Sequence, residues 1–311
     1  MKVYNKITDV TAKYPNIAVA LGMFDGIHIG HQSIIKEAVK LAQKNGGNSA
    51  VFTFSNHPLS ILSPGNTPLI ICDNELKISL MEKSGVDILF NVPFTKEFSR
   101  VPPEKFLAVL KENLAPKFVV TGANFTFGRQ GKGTPRMLLR LAEEFSFTPE
   151  ICSTVLVGGK AVSSTRIREC LQKGDLTSVG EFLGRPFDFC GHVAHGDKRG
   201  RLLGFPTANL KIENNRAMLP NGVYAVWATL DGKTMLNAVA NVGDNPTFGN
   251  SERRLEVNID NFDDDIYGKL LTVKFLAKIR DEQKFSSADE LISQIRRDKT
   301  KAAEIWQRSK L

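Results

Sequence analysis

Long apolar runs are missing: no segment of the 311 residues is long and apolar enough to span a bilayer, which excludes a helical integral membrane protein. The N-terminus carries Lys2 and Lys6 but no apolar stretch ahead of a small-residue cleavage site, so no secretory signal is read and a cytoplasmic protein is expected. Cysteine is scarce as well. The four present, Cys72, Cys152, Cys170 and Cys190, are far apart and form no C-x-x-C pair, which suits reduced, semi-buried small hydrophobes. A Walker loop, G-x-x-x-x-G-K-[ST], is absent. Basic residues exceed acidic ones, for a net charge of +8, yet they are scattered and not gathered into a tract with interleaved aromatics. Nucleotide ligands or simple solubility account for that charge as well as RNA does.

What is present suffices for two domains. A chain of 311 residues with 42% hydrophobic and 24% charged content can bury two cores. Over 17–155, strand-like runs (17–24, 50–54, 87–92, 117–121, 150–155) alternate with helical patterns. One apolar helical face runs through Ile34, Ile35, Ala38, Val39, Leu41 and Ala42; Asp73 caps a second helix, Pro102-Pro103 opens a third and Thr134-Pro135 a fourth. Such βα alternation predicts a parallel sheet covered on both faces, with its ligand site at the carboxyl ends of the strands. Near Leu183-Gly184-Arg185-Pro186 the pattern changes to β-rich runs without intervening helices: 187–193, 224–230, 235–242, 255–259 and 270–279, with Asp231-Gly232 as a hairpin turn. A small antiparallel barrel is expected there, closed by one or two helices that begin at the capping box Ser287-Ala288-Asp289-Glu290. The predicted domains are 1–183 and 184–311.

The first domain is organised around G-M-F-D-G-I-H-I-G-H over 22–31, where a strand hands over to a helix. A helix N-terminus offers unpaired N–H donors and a partial positive charge, and glycines let a phosphate approach the backbone. His28 and His31 fall in that turn, where imidazoles can donate to phosphate oxygens. The other readings of this spacing are a structural pair and a metal pair, although no third His, Cys or Glu cluster accompanies it. Two more loops at strand ends carry unusual polar groups: Ser55-Asn56-His57-Pro58, otherwise an ordinary turn, and 122–129, G-A-N-F-T-F-G-R, whose aromatic residues hold a flat ligand or belong to the core. Further on, Val162-Ser163-Ser164-Thr165-Arg166-Ile167-Arg168 opens a helix to about 173; its hydroxyls are caps or, with the arginines, a phosphate clamp.

The second domain has a glycine-rich basic loop, G-H-V-A-H-G-D-K-R-G-R over 191–201, leading into L-G-F-P-T-A-N over 203–209. Glu256 alternates with Leu255, Val257 and Ile259 and therefore points away from their face; as bare sequence it reads as a solvent-facing strand residue. Asp263-Asp264-Asp265 reads as a solvated turn.

These stretches together resemble one family over nearly the whole chain. The form at 22–31 is similar to the nucleotidylyltransferase H-x-G-H signature, and in its full length to the bacterial bifunctional riboflavin kinase and FAD synthetase. The 162–168 run resembles that family's I-S-S-T-x-I-R motif, with Val162 in place of isoleucine, and the run from Gly191 to Asn209, with Pro220 to Tyr224 and Asn241 to Phe248, resembles its riboflavin kinase signature. The resemblance implies a Rossmann-like nucleotidylyltransferase domain followed by a β-barrel kinase domain. It implies phosphorylation of riboflavin to FMN, then adenylylation of FMN to FAD with release of pyrophosphate.

By the same resemblance, His28, His31 and Arg166 stabilise charge in adenylyl transfer, and Glu256 accepts the ribityl hydroxyl proton in the kinase step. Gly22, Phe24, Asp25, Gly30, Ser163, Ser164, Thr165 and Arg168 surround nucleotide phosphates in the first domain, and Gly196, Lys198, Gly200 and Arg201 do so in the second. His57, Pro58, Asn124, Phe125 and Phe127 hold flavin; many relatives carry Asp where Asn124 stands, and asparagine keeps the hydrogen bonding without the charge. Thr207 and Asn209 hold Mg²⁺ through neutral oxygens, with ATP phosphates and water completing its shell. The expected partners are riboflavin, FMN, FAD and ATP, with no nucleic acid, no membrane, and at most weak or transient self-association.

Overall fold

Ala18–Leu21 is buried at every position, as a strand covered on both faces must be. It forms the middle of the first of two units, Met1–Ser164 and Thr165–Leu311, into which the computed structural model divides. The described residues are 1–10, 14–195, 204–230, 232, 234–247 and 250–309.

The first unit runs β1 (Lys2–Tyr4), β2 (Ala18–Leu21), α1 (Ile29–Lys44), β3 (Ser49–Phe54), α2 (Leu59–Leu62), α3 (Asn74–Lys83), β4 (Ile88–Val92), α4 (Pro103–Leu114), β5 (Phe118–Gly122), α5 (Pro135–Phe145), β6 (Thr148–Cys152), β7 (Leu156–Val157) and β8 (Lys160–Ala161). Its main sheet has the order β1-β4-β3-β2-β5-β6, every pair parallel. The alternation of β2 sends Val19 and Leu21 into one apolar cluster with Phe52, Phe90 and Phe106, and Ala18 and Ala20 into the other with Ile35, Ala38 and Met81. Each face is thus covered, the doubly wound arrangement predicted from the βα alternation. The chain proceeds one way from β2 through β3 to β4 and the other way to β5 and β6, so the topological switch lies between β2 and β5. Ligands of such sheets bind outside the carboxyl ends of the strands at that point.

The helix signals performed as capping chemistry says they should. The Asp73 carboxylate accepts from Leu76 N–H at 2.8 Å at the start of α3, and the Thr134 hydroxyl accepts from Met137 N–H at 3.3 Å at the start of α5. Differences from expectation lie in short pieces. The strand predicted over 17–24 stops at Leu21, because Phe24 and Ile27 take left-handed backbone, with φ of 50° and 42°. β1 is three residues long and mostly exposed, and β7 and β8 are two residues each around Gly158-Gly159, too short for periodicity to register.

The second unit contains α6 (Ser164–Lys173), which begins at the division, α7 (Leu176–Leu183), β9 (Phe187–His192), β10 (Ala208–Lys211), β11 (Gly222–Leu230), β12 (Met235–Thr247), β13 (Asn250–Ile259), β14 (Leu270–Arg280) and α8 (Ala288–Ser309). Its antiparallel sheet has the order β10-β13-β12-β11-β14-β9 and curls until the edges meet, Ala194 N–H donating to the Asn209 carbonyl at 2.8 Å. Phe187, Tyr224 and Phe275 fill the interior, and burial pushes the Tyr224 phenol up to about 12 while its hydroxyl donates to the Pro220 carbonyl. On the outer face α8 lays Ala302 and Trp306 over Ala225, Trp227 and Val239, and the Trp306 indole donates to the Val226 carbonyl at 3.1 Å. The capping box closes one residue out of register: Ser287 accepts from Glu290 N–H, but the Glu290 carboxylate returns to the backbone and hydroxyl of Ser286. β10, absent from the sequence reading, is the strand that carries Asn209. The expected hairpin turn at Asp231 lies outside the described residues.

Candidate active sites

The turn between β2 and α1 is held from every side. Gly22 N–H donates to the Phe52 carbonyl, the Thr53 hydroxyl to the Met23 carbonyl, the Ser164 hydroxyl to the Asp25 carbonyl and the Gln32 amide to the Ile27 carbonyl, at 2.8–3.2 Å. Two non-glycine residues in left-handed backbone persist where surrounding bonds over-determine them, and both Phe24 and Ile27 are buried. A Cβ on Gly22 would lie 2.8 Å from the Phe24 ring, so close approach is what that glycine provides.

Asp25, named with the phosphate-binding group, turns its carboxylate inward, where it accepts from Ile71 N–H at 3.0 Å and Cys72 N–H at 3.2 Å. Asp25→Ala strands those buried donors, each worth about 1–3 kcal/mol when left unsatisfied. Its expected outcome is a loss of about 2 kcal/mol or more in urea unfolding of this unit, with Asp25→Asn losing less because its amide oxygen can still accept.

His28 caps α1. Its Nδ1 accepts from His31 N–H at 3.2 Å, which commits that nitrogen to the head of the helix. The two imidazoles stack at 3.5 Å between centroids. A Cβ on Gly30 would sit 3.1 Å from the His28 ring. Burial, then His28, then Lys77 hold His31 well below the usual histidine range, and its buried Nδ1 has no hydrogen-bond partner.

His31 opens into a cavity of about 430 Å³ that gathers the three predicted loops: Gly22 and Phe24 from the first, His57 and Pro58 from the second, Asn124, Phe125 and Phe127 from the third. The Phe125 and Phe127 rings stack at 5.7 Å and 14°. His57 Nδ1 accepts from Leu59 N–H at 3.1 Å, which shapes the entry to α2. Phe54, at the end of β3, and Phe94 and Phe98, in the segment after β4, also line this cavity; as bare sequence such aromatic residues read as core. The predicted clamp is divided between units: Ser163 and Ser164 belong to the first, while Thr165, Arg166 and Arg168 belong to the second. There the Arg166 guanidinium lies 4.6 Å from the Phe182 ring centroid.

In the second unit, register decides what faces what. Glu256 pairs with Asn209 on β10 and with Asn241 on β12, so the three side chains stand in a row on the outer face, while Leu255 and Val257 on either side are fully buried. A cavity of about 280 Å³ is lined by Thr207, Asn241, Glu256, Asn258, Arg280 and Asp298, among others. Arg280 and Asp298 form a nearly closed pair at 2.9 Å that joins β14 to α8. Asn241 and Asn258 share the parity of Glu256 in their strands, a signal by which the sequence could have shown them.

Among the described residues no group of three His, Cys, Asp or Glu could hold a metal. The Thr207 and Asn209 pair does fit Mg²⁺ as a sparse, hard-oxygen set: the Asn209 amide nitrogen donates to the Thr207 carbonyl at 3.4 Å, which leaves its Oδ1 and the Thr207 hydroxyl for a cation. Gly196, Lys198, Gly200 and Arg201 lie outside the described residues.

A parallel α/β unit with a histidine turn at its switch point, followed in the chain by an antiparallel barrel with a carboxylate and neutral oxygens on one face, defines a two-domain phosphoryl- and nucleotidyl-transferring enzyme. The comparisons give that class its family. A family model for FAD synthetase matches residues 10–166 and one for riboflavin kinase matches residues 183–306. The chain is 37% identical to the bifunctional riboflavin kinase/FMN adenylyltransferase of Bacillus subtilis, covering 91% of this chain and 90% of that one. It is 33% identical to the protein of the same name from Escherichia coli, covering 93% and 92%. The chain belongs to the family of bifunctional riboflavin kinase/FMN adenylyltransferases, and riboflavin phosphorylation and FMN adenylylation are its two activities.

A crystal structure described as a macrolide-efflux protein from Streptococcus pneumoniae matches with a TM-score of 0.82 and 34% identity, over 96% of this chain and 97% of that one. That description names transport, whereas no helix among the described residues here is long and apolar enough to cross a membrane.

Proposed function

We propose that the two activities are divided between the two cavities. In the first unit the phosphate of FMN, already ionised, attacks the α-phosphorus of ATP; the O–P bond to AMP forms and pyrophosphate leaves. Such a step needs alignment and charge stabilisation more than a base. His28, the His31 ring and the N–H groups of α1 supply it, and His57, Pro58, Asn124, Phe125 and Phe127 hold the flavin. In the second unit the terminal ribityl hydroxyl of riboflavin attacks the γ-phosphorus of ATP, Glu256 takes its proton and ADP leaves. Thr207 and Asn209 would hold Mg²⁺, which when bound neutralises phosphate charge. The domain limits 1–183 and 184–311 belong to the same proposal.

The observation that carries this reading is the convergence of the loops after β2, β3 and β5 on one cavity. The test incubates the protein with riboflavin, ATP and Mg²⁺, and in parallel with FMN, ATP and Mg²⁺, and separates the flavins by chromatography over time. FAD from both starting materials is the expected result; FMN alone would leave the first cavity without its assigned reaction.

A further inference from the structure

Lys77 has no place in the mechanism above, yet it is only 3% exposed, rare for a lysine. Its Nζ donates to the carbonyl of Phe54, the last residue of β3, at 2.8 Å. One turn earlier, Asn74 donates to the Ser55 carbonyl at 3.0 Å and accepts from the Asn91 amide at 3.3 Å. The N-terminal turn of α3 thus holds successive carbonyls immediately before Asn56-His57-Pro58. Phe54 and His57 line the same cavity as His31.

Charge points the same way. The groups bearing on the ammonium are Cys72, Asp25 and Asp73, which favour its charged form against the larger opposing effect of burial. Asp25 is the carboxylate bonded to the backbone of Ile71 and Cys72, and Asp73 is the cap of α3. The charges bearing on His31 are those of His28 and Lys77. Burial is the largest cause that holds His31 low, and the buried cation adds to it by repelling a proton from the ring. The same cation adds to the positive potential that an incoming triphosphate meets.

We propose that Lys77 is a positioning residue for adenylyl transfer, tying the end of β3 to α3 behind the two-histidine turn and setting the charge that His31 and the nucleotide phosphates experience. This rests on the assignment of adenylyl transfer to that turn. Lys77→Met keeps most of the side-chain volume and removes both donor and charge. In the full chain it lowers FAD formation from supplied FMN at least tenfold, leaves FMN formation from riboflavin within twofold, and moves the His31 C2–H titration upward. Lys77→Arg restores the low His31 titration, which a purely structural role would not produce.

A folded Lys77→Met with unchanged FAD formation, or with an unmoved His31 titration, overturns the proposal. Where circular dichroism shows that Lys77→Met does not fold, Lys77→Gln, which can still donate to Phe54, is judged by the same two readouts. His31→Ala in the same assay separates the two levels of argument. Retained FAD formation in that variant would remove the site assignment itself, while its loss alongside a fully active Lys77→Met would remove only the role of Lys77.

Discussion

His31→Ala is expected to cut FAD formation from supplied FMN by about 10² to 10³, the usual cost of removing one preorganised donor at a phosphoryl or acyl centre, while riboflavin phosphorylation continues at its normal rate. The ring sits at the head of α1 in the cavity where the three loops meet. Its neighbour His28 is committed at Nδ1 to the helix cap. Because the α1 cap is made by His28 and not by His31, the alanine removes a ring without uncapping the helix, so the larger loss should fall on the rate. The measurement is initial rates of both half-reactions on one preparation, with a thermal melt as control. Equal loss of both activities in a folded variant would mean that the cavities are not divided as assigned.

The sequence shows the histidine turn plainly because everything that makes it work is local. Strand, glycines, histidines and helix follow one another within residues 18–44, and capping, backbone freedom and apolar periodicity are short-range signals. The convergence of His57 and Asn124 on the same cavity was open to a topological argument, since β3 and β5 flank β2 in a parallel sheet. Lys77 was not legible. A lysine in the first turns of a helix reads as a solvated residue, and only the packing of α3 against the end of β3 buries it.

The second unit shows the same division between local and long-range information. Its strands were recognisable from alternation, but the row of Asn209, Glu256 and Asn241 depends on register among strands far apart in sequence, which no local pattern fixes. β10 itself was hidden because Phe205-Pro206-Thr207-Ala208-Asn209 opens on proline and small polar residues that look like a turn. The inward commitment of the Asp25 carboxylate was equally invisible, because its partners, Ile71 and Cys72, come from another loop.

Register also makes Glu256 the position where the second large effect is expected. Its strand neighbours Leu255 and Val257 are fully buried, and β13 is hydrogen-bonded on both sides, to β10 and β12, so the backbone beneath the carboxylate is rigid. The side chain projects into the cavity lined by Thr207, without contributing to the barrel core. A ribityl hydroxyl is a weak acid, and its proton must leave as the bond to the γ-phosphorus forms; positioned general bases contribute about 10² to 10⁴ in such steps. Glu256→Gln preserves shape and hydrogen bonding but cannot accept that proton. It should lower kcat for FMN formation by about that factor with little change in KM for ATP. FAD formation from supplied FMN should be untouched, since that step is assigned to the other cavity. A Glu256→Gln protein that phosphorylates riboflavin at the parent rate would show that the hydroxyl proton goes elsewhere, to solvent or to the nucleotide itself.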